Sequence, residues 1–194
     1  MQLKTSVNYT TIIYIQANLL KTYYNLNYYG GLSMENRNKI LGEMIFDDSL
    51  VKFNIKADSN LNAIEQLAGL LVEQDLVKES YVPAIKAREE IYATGLELLD
   101  MGIAIPHTDP EHVNEPAMAL GILEKPVTFC GMGEPDRQID VEIMFMLAIK
   151  EPHAQLKILQ ALLKVFQHEG KLTALKNCKT QKEAADMLQQ LLSE

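Results

Sequence analysis

The chain has 194 residues with a formal net charge of −8, and 47% of its residues are apolar. This length and apolar content predict one globular domain with a hydrophobic core and exclude an intrinsically disordered chain. The acidic balance argues against a nucleic-acid-binding surface or a patch for anionic membranes, because both need clustered Lys and Arg. Cys130 and Cys178 lie far apart, without the spacing of a disulfide framework or a thiolate metal site, which fits a protein of the reducing cytoplasm.

Residues 1–33 differ in composition from the rest of the chain. They contain six of the eight tyrosines, and no acidic residue precedes Glu35. The apolar stretch TIIYIQANLL is interrupted by Gln16 and Asn18 and is shorter than the roughly 20 residues of a membrane-spanning helix. We therefore expect no membrane insertion, a flexible N-terminal extension over residues 1–33 and one domain over residues 34–194. The extension is either an upstream start artefact, with Met34 as the natural first residue, or a docking arm.

Two amphipathic helices are predicted next. The segment SNLNAIEQLAGLLVEQ (59–74) has apolar residues at helical spacing. The segment SYVPAIKAREEIYATG (80–95) has Ser80 as a helix cap, Pro83 early in the helix and Gly95 as its stop. Arg88 then lies in the last turns of the second helix.

Strands and helices alternate after residue 100. The segments GIAI (102–105), AMALGIL (117–123) and VEIMFMLAI (141–149) are predicted strands, the last one central and covered on both faces. The segment AQLKILQALLKVFQH predicts a helix that Gly170 ends, and Thr180 with Glu183 predicts a capping box that opens the last helix. The pattern favours an α/β fold: a three-layer sandwich in which a mixed β-sheet is flanked by helices on both faces.

The stretch GIAIPHTDPEH (102–112) places a histidine at a strand end. Pro106 fixes its own φ and favours an extended Ile105, so the chain leaves the strand in a defined direction at His107. An imidazole with a pKa of about 6.5 is largely neutral at cytoplasmic pH, and its lone pair can attack phosphorus, accept a proton or bind a metal. A turn residue without chemistry is also compatible with this spacing.

A metal site is the weaker interpretation of this loop. Four possible ligands occur in it: His107, Asp109, Glu111 and His112. Their spacing matches neither a helical ligand pair nor a zinc finger. No metal is predicted.

Longer segments around His107 resemble a known family. The segment AREEIYATGLELLDMGIAIPH (87–107) resembles the active-site region of the fructose/mannitol-type EIIA proteins (EIIA type 2) of the bacterial phosphotransferase system, PTS. In that family an ARE…TGL stretch precedes a strand that ends in IAIPH or VAIPH. The segment IMFMLAIKEPHAQLKILQALLKVF (143–166) resembles the family's later strand, loop and helix. The spacing between Arg88 and His107 is longer than in the mannitol type. This spacing and the EP…QLK sequence resemble the galactitol-type branch.

The resemblance implies a cytoplasmic phosphotransferase with a phosphohistidine intermediate. His107 would receive a phosphoryl group from the phosphocarrier protein HPr and pass it to a cysteine of EIIB, which phosphorylates a sugar imported by EIIC. Arg88 would lie beside the phosphoryl oxygens, whose geometry a guanidinium group matches. The sequence has no Walker-type glycine loop, which is consistent with a protein donor rather than ATP, and no cofactor is implied.

The sequence departs from the family pattern at two places. Thr108 stands where many members have Gly, Ala or Cys, and its hydroxyl could bond the phosphoryl oxygens or cap the turn. The second histidine of mannitol- and fructose-type members falls on Gln155, while His153 lies two positions earlier. Either Gln155 donates an amide hydrogen bond at the site or His153 swings in from the loop. Gln155 is favoured, because two positions at a helix start differ by more than half a turn.

Two other functions stay open on the sequence. One is a regulatory EIIA-like phosphorylation module that acts in trans, and the weaker one is a metal-dependent hydrolase that uses His107 and His112. The sequence identifies neither the sugar, nor the oligomeric state, nor the ring nitrogen that would carry phosphorus.

Overall fold

Two long antiparallel strands form the centre of the sheet. A computed structural model describes residues 39–40 and 44–193, so the predicted extension over residues 1–33 lies outside the described residues. The strands are β1 (Lys39–Ile40), β2 (Met44–Ile45), β3 (Val51–Ile55), β4 (Gly95–Glu97), β5 (Gly102–Ala104), β6 (Ala117–Gly131) and β7 (Glu134–Ala148). The helices are α1 (Asn60–Glu73), α2 (Tyr81–Ile91), α3 (Pro152–Gln167), α4 (Lys171–Lys176) and α5 (Gln181–Ser193). Short 3-10 turns occupy Asp48–Leu50 and Pro110–His112.

The sheet is mixed, as predicted. Strands β6 and β7 pair antiparallel along most of their length. Parallel neighbours flank this pair, because β2, β3 and β4 pair with β6 while β5 pairs with β7. The predicted central position of β7 is confirmed: it has partners on both sides, and residues 143–148 are buried.

Helices cover both faces of this sheet. Gly121 pairs with Met144, and successive residues of a strand point to opposite faces, so Phe145 faces away from Gly121. Leu67 of α1 packs over Gly121, where an added Cβ would come within 2.9 Å of the leucine Cδ2. Phe166 of α3 packs on Phe145, with 5.2 Å between the ring centroids. The three-layer sandwich is therefore confirmed.

Local capping explains where two of the helices begin. The Ser59 hydroxyl accepts a hydrogen bond from the backbone amide of Asn62 at 3.2 Å, which caps α1. At α5 the Thr180 hydroxyl accepts from the amide of Glu183 at 3.1 Å, and the Glu183 carboxylate accepts from the amide of Lys179 at 2.8 Å. The predicted capping box is present, but the Glu183 carboxylate bonds to the amide of Lys179, one residue before Thr180.

The predicted ends of two helices were wrong, and a helix predicted to be capped by Ser80 begins directly after it but lacks the side-chain bond. Helix α2 ends at Ile91, and Gly95 instead begins β4, where an added Cβ would lie 2.6 Å from the Cys130 carbonyl oxygen. Ser80 precedes α2 but makes no side-chain cap, because its hydroxyl bonds to His112 Nδ1 at 2.9 Å. Gly170, with φ of 77°, follows the end of α3 and precedes α4, a helix that the sequence did not predict. In the described ranges no helix combines the length and apolar character needed to cross a membrane.

Candidate functional site

His107 lies just beyond the carboxyl end of β5, held by backbone bonds to both neighbouring strands. The amide of Leu147, near the end of β7, donates to the Pro106 carbonyl at 2.9 Å. On the other side, the amide of Ile105 donates to the Thr94 carbonyl, beside the start of β4, at 3.2 Å. Pro106 has no amide hydrogen to donate. The turn is therefore fixed by its carbonyl and by the amide of Ile105. The imidazole therefore leaves the sheet from a rigid backbone.

The orientation of the His107 ring defines its tautomer. Nδ1 lies 3.0 Å from the carbonyl oxygen of Ile105. A carbonyl oxygen only accepts, so Nδ1 donates and carries the proton, and Nε2 keeps its lone pair. The side chain is half-buried. The nitrogen available for chemistry is Nε2.

The surroundings keep this imidazole neutral. Burial, together with the nearby positive charge of Arg88, lowers the pKa of His107 from 6.5 to about 4. The bond to the Ile105 carbonyl and the charge of Asp109 act in the opposite direction but are smaller. At neutral pH the ring is an unprotonated nucleophile, and its weakly basic nitrogen is also a good leaving group.

Arg88 lies in the last turn of α2 with its side chain turned toward the histidine turn. Its Nη1 donates to Asp109 Oδ1 at 3.1 Å, and its Cζ lies 5.3 Å from the centre of the Tyr92 ring. The side chain is 17% exposed, so its charge acts in a partly dehydrated environment, where charges interact more strongly. A guanidinium group whose charge acts on the His107 ring can bind an anionic group attached to that ring.

Tyr81 at the start of α2 fixes the other side of this turn. Its hydroxyl donates to the Leu147 carbonyl at 3.0 Å, and the ring is fully buried. Burial raises the pKa of Tyr81, so the hydroxyl stays protonated and remains a donor. Sequence reasoning missed this residue, because a tyrosine at the start of an amphipathic helix carries no signal of a partner 66 positions later.

The remaining predicted site residues are Thr108, Gln155 and His153. Thr108 is buried directly after His107. Gln155 and His153 both belong to the first turns of α3, which begins at Pro152, four positions after β7 ends. The loop position predicted for His153 was therefore wrong. The side chains of both residues lie outside the described part of the structure, so the choice between them stays a prediction.

His112, one of the four possible metal ligands in the loop, contacts Ser80 and Glu111. Its Nδ1 lies 2.9 Å from the Ser80 hydroxyl, and its Nε2 lies 3.3 Å from the Glu111 carboxylate. Among the residues that the structure describes, no three His, Cys, Asp or Glu side chains are grouped so that they could hold a metal ion.

The sequence from residue 44 to residue 191 matches the family model described as phosphoenolpyruvate-dependent sugar phosphotransferase system, EIIA 2. The chain belongs to the EIIA type-2 family of the PTS. The resemblance on which the sequence analysis relied is thus confirmed, and the members of this family are phosphotransferase components.

Curated relatives of this EIIA chain include sugar-specific components and a regulator. The mannitol-specific phosphotransferase enzyme IIA component of Staphylococcus aureus is 26% identical over 75% of this chain and 96% of its own length. The galactitol-specific EIIA component of Escherichia coli is 26% identical over 60% of this chain and 77% of its own length. The transcriptional regulator ManR of Bacillus subtilis is 32% identical over 52% of this chain, which spans 14% of that protein.

Solved structures of EIIA proteins have the same fold. The mannitol-specific cryptic enzyme IIA CmtB of Escherichia coli superposes with a TM-score of 0.60 at 25% identity, over 75% of this chain and 95% of that one. A complex of the mannitol enzyme IIA with phosphorylated enzyme IIB, also from Escherichia coli, matches with a TM-score of 0.59 at 22% identity, over 75% of this chain and 94% of that one.

Proposed function

We propose that this chain is the phosphoryl carrier EIIA of a bacterial sugar PTS and works in the cytoplasm. His107 takes a phosphoryl group from phospho-HPr and passes it to a cysteine of EIIB. The observation that carries the proposal is the 3.0 Å contact between His107 Nδ1 and the Ile105 carbonyl, which leaves Nε2 as the nucleophile of a ring on which the charge of Arg88 acts.

Transfer to His107 is a displacement at phosphorus. The Nε2 lone pair forms a bond to phosphorus, and the nitrogen–phosphorus bond of phospho-HPr breaks. One PO₃⁻ unit moves from one imidazole to another, and neither water nor a nucleotide is consumed. The His107 ring then carries a formal positive charge, which the Ile105 carbonyl stabilises through its bond to Nδ1–H.

Transfer onward reverses this chemistry. A cysteine thiolate of EIIB forms a sulfur–phosphorus bond, the bond between Nε2 and phosphorus breaks, and its electron pair returns to Nε2. His107 ends neutral in the tautomer that it began with. The depressed pKa of about 4 favours this step, because a weakly basic nitrogen leaves readily.

Two features stabilise the phosphoryl group during its stay. The guanidinium of Arg88 can exchange Asp109 for phosphoryl oxygens, and in phosphoryl transfer such positioning and charge stabilisation supply most of the catalysis. Helix α3 begins at Pro152, close in sequence to Leu147, whose backbone bridges to His107. The positive end of its dipole and its free amides lie at the same edge of the sheet and favour an anion there.

The relatives support the assignment of partners and branch. An EIIB partner is supported by the solved complex of the mannitol enzyme IIA of Escherichia coli with phosphorylated enzyme IIB. A galactitol-type specificity is proposed from Gln155, which stands at the place of the second histidine of mannitol-type members, and a galactitol-specific component is among the relatives. Phosphoryl transfer from the labelled chain to a galactitol-type EIIB, faster than to a mannitol-type EIIB, supports that branch, and the reverse order refutes it.

The carrier function is tested by reconstitution. The purified chain is incubated with enzyme I, HPr and phosphoenolpyruvate, and intact-protein mass spectrometry counts the phosphoryl groups. We expect one group, labile in acid and stable in base, which is lost when EIIB is added. His107→Ala should take no label, whereas His112→Ala, the matched control on a histidine bound to Ser80, should label normally. Labelling of His107→Ala would overturn the assignment.

A regulatory module is a second candidate, favoured by the match to ManR. Such a protein would also accept phosphate on His107, but its output would be the control of a separate regulator. Deletion of the gene distinguishes the two functions: loss of sugar uptake supports the carrier, and unchanged uptake with altered transcription supports the regulator. A metal-dependent hydrolase requires stoichiometric zinc or manganese, which elemental analysis of the purified chain measures.

A further inference from the structure

A buried carboxylate adjoins the site. Among the described side chains three polar or charged residues are buried, namely Glu89, Thr94 and Thr108. Glu89, the neighbour of Arg88 on α2, is 4% exposed. Its carboxylate accepts two hydrogen bonds from one residue: the backbone amide of Thr94 at 3.0 Å and the Thr94 hydroxyl at 2.7 Å.

Hydrogen bonds continue from Thr94 to the imidazole. The Thr94 carbonyl accepts from the amide of Ile105 at 3.2 Å. The Ile105 carbonyl in turn accepts from His107 Nδ1 at 3.0 Å. Glu89 is therefore joined to the nucleophile through two residues that belong to different strand ends, one before β4 and one after β5.

We propose that Glu89 is a positioning residue for phosphoryl transfer. Its two bonds to Thr94 fix the segment between α2 and β4, and this segment holds the Ile105 carbonyl where it selects the His107 tautomer with a free Nε2. The same segment connects Arg88 to the sheet, so one buried side chain sets the relative position of the nucleophile and the guanidinium group.

The protonation state of Glu89 does not break this link. Burial raises the pKa of Glu89 to about 7, while its bonds to Thr94 act in the opposite direction. In the ionised form both oxygens accept. In the neutral form one oxygen still accepts from the Thr94 amide, and the other can donate to the Thr94 hydroxyl. A glutamine has the same donor and acceptor pattern as the neutral acid.

This reasoning identifies the decisive variants. Glu89→Gln keeps both bonds to Thr94, whereas Glu89→Leu removes both at similar volume. Thr94→Val removes only the hydrogen bond from the Thr94 hydroxyl to Glu89. It replaces Glu89→Leu as the test variant if Glu89→Leu does not fold. Ile85→Val, one helical turn earlier on the same buried face of α2, destabilises the helix without touching the hydrogen bonds and is the matched control.

The tautomer of His107 is the first readout and needs no partner protein. Two-bond ¹⁵N–¹H correlation spectra of the full chain distinguish Nδ1–H from Nε2–H. We expect the Nδ1–H form in the native chain, Glu89→Gln and Ile85→Val, and a mixture of both forms in Glu89→Leu, with a smaller change in Thr94→Val. An unchanged tautomer in Glu89→Leu overturns the proposal. If Glu89→Leu does not fold, an unchanged tautomer in Thr94→Val overturns it instead. An equal change in Ile85→Val also overturns it.

Kinetics form the second readout, and here the inference rests on the proposed function. With saturating phospho-HPr, the single-turnover rate of Glu89→Leu should fall about tenfold. The concentration of phospho-HPr that gives half the maximal rate should stay within twofold of the native value. Glu89→Gln should retain the native rate. If the native chain takes no label but Glu89→Leu, unlike Ile85→Val, changes the tautomer of His107, the carrier function fails and only the control of the tautomer by Glu89 stands. If the native chain takes label and Glu89→Leu transfers at the native rate, the positioning role fails alone.

Discussion

Arg88 and Asp109 form an ion pair across the turn that carries His107, with 3.1 Å between Nη1 and Oδ1. The aspartate lies two positions after the histidine, so the turn that presents the nucleophile also holds the guanidinium group. Asp109 is 48% exposed, whereas Arg88 is 17% exposed. Water can therefore take the place of the Asp109 carboxylate on the guanidinium group. In the proposed function, an incoming phosphoryl group would therefore meet a cation that is already oriented.

Arg88→Gln should slow phosphoryl transfer to His107 by about 10²-fold or more, since an arginine at a transferring phosphoryl group contributes factors of this order. Arg88→Lys should lie between glutamine and arginine, because an ammonium keeps the charge but loses the planar pair of donors. Rapid-quench measurement with phospho-HPr gives both rates. The prediction fails if lysine and glutamine variants transfer at the native rate. In Arg88→Gln the pKa of His107 should also rise, because the cation that lowers it is gone.

Asp109→Asn should shift the phosphorylation equilibrium of His107 toward the phosphorylated form, by about fivefold at constant ratio of phospho-HPr to HPr. Removal of a negative charge near the dianionic phosphoryl group lessens repulsion, an effect of order 1 kcal/mol at a partly exposed site. Intact-protein mass spectrometry measures the phosphorylated fraction. Glu111→Gln is the control, because Glu111 is 77% exposed and pairs with His112. An equal shift in both variants would attribute the effect to net charge alone.

Gln155→Leu should slow transfer by about tenfold, roughly the loss of one hydrogen bond to a charged group, and His153→Leu should change it by less than twofold. Two positions in a helix differ by about 200° in direction, so the two side chains cannot face the same site. Single-turnover rates with phospho-HPr compare the variants. A slow His153→Leu beside a normal Gln155→Leu would reverse the assignment of the supporting residue.

The pH dependence of stability should contain two opposite contributions from the site. The folded chain has a His107 pKa of about 4, below the usual 6.5, so its contribution is complete above pH 6.5 and is lost as pH falls toward 4. It has a Glu89 pKa of about 7, above the usual 4.5, so that contribution is complete below pH 4.5 and is lost as pH rises toward 7.

Urea unfolding of matched variants separates the two contributions. The native free energy of unfolding minus that of His107→Gln should increase with pH between 4 and 6.5, and the native value minus that of Glu89→Gln should decrease between 4.5 and 7. Each slope is at most about 1.4 kcal/mol per pH unit, the limit for one proton. If neither difference in the free energy of unfolding changes with pH, both pKa shifts are contradicted.

Gly95→Ala should destabilise the fold by about 1–3 kcal/mol, because its Cβ would lie 2.6 Å from the Cys130 carbonyl oxygen in the neighbouring strand. Gly69→Ala is the matched control: no atom lies within 4 Å of its Cβ, and it is in the interior of α1. Alanine there should stabilise the helix by roughly 0.5–1 kcal/mol. Denaturant midpoints of the two variants should move in opposite directions. Destabilisation by both would show that the loss does not come from the contact at Gly95.

Periodicity and capping chemistry predicted the elements that are long and amphipathic. Helix α1 begins after Ser59, as its sequence indicates, because both the cap and the apolar stripe are local. Strand β4, with three residues, is too short to show a pattern, and it exists because Gly95 allows a close approach to β6. The outer half of β7 was missed for a different reason: residues 134–138 are exposed and polar, and hairpin pairing alone makes them extended.

At the candidate site, a family resemblance and a strand-ending proline led to the prediction of His107 and Arg88. It did not predict the side chains that orient them. Asp109 was considered as a metal ligand, although it pairs with an arginine 21 positions earlier. Glu89, in a helix with a charged surface pattern, resembled a solvated residue. Its partner Thr94 is close in the chain, but its burial depends on how the whole helix packs on the sheet, which no local pattern encodes.

The β6–β7 hairpin has a practical consequence for single-molecule work. Its turn, at Met132 and at Gly133 with φ of 80°, lies at the far end of β6 from Ala117. The amide of Met132 in this turn donates to the Gly95 carbonyl at 2.8 Å, and Gly95 directly follows Thr94, so the turn is tied to the segment that adjoins the candidate site. A dye or a surface tether is therefore better attached away from this turn, because a pull at Met132 would act through Gly95 on the segment that holds Thr94.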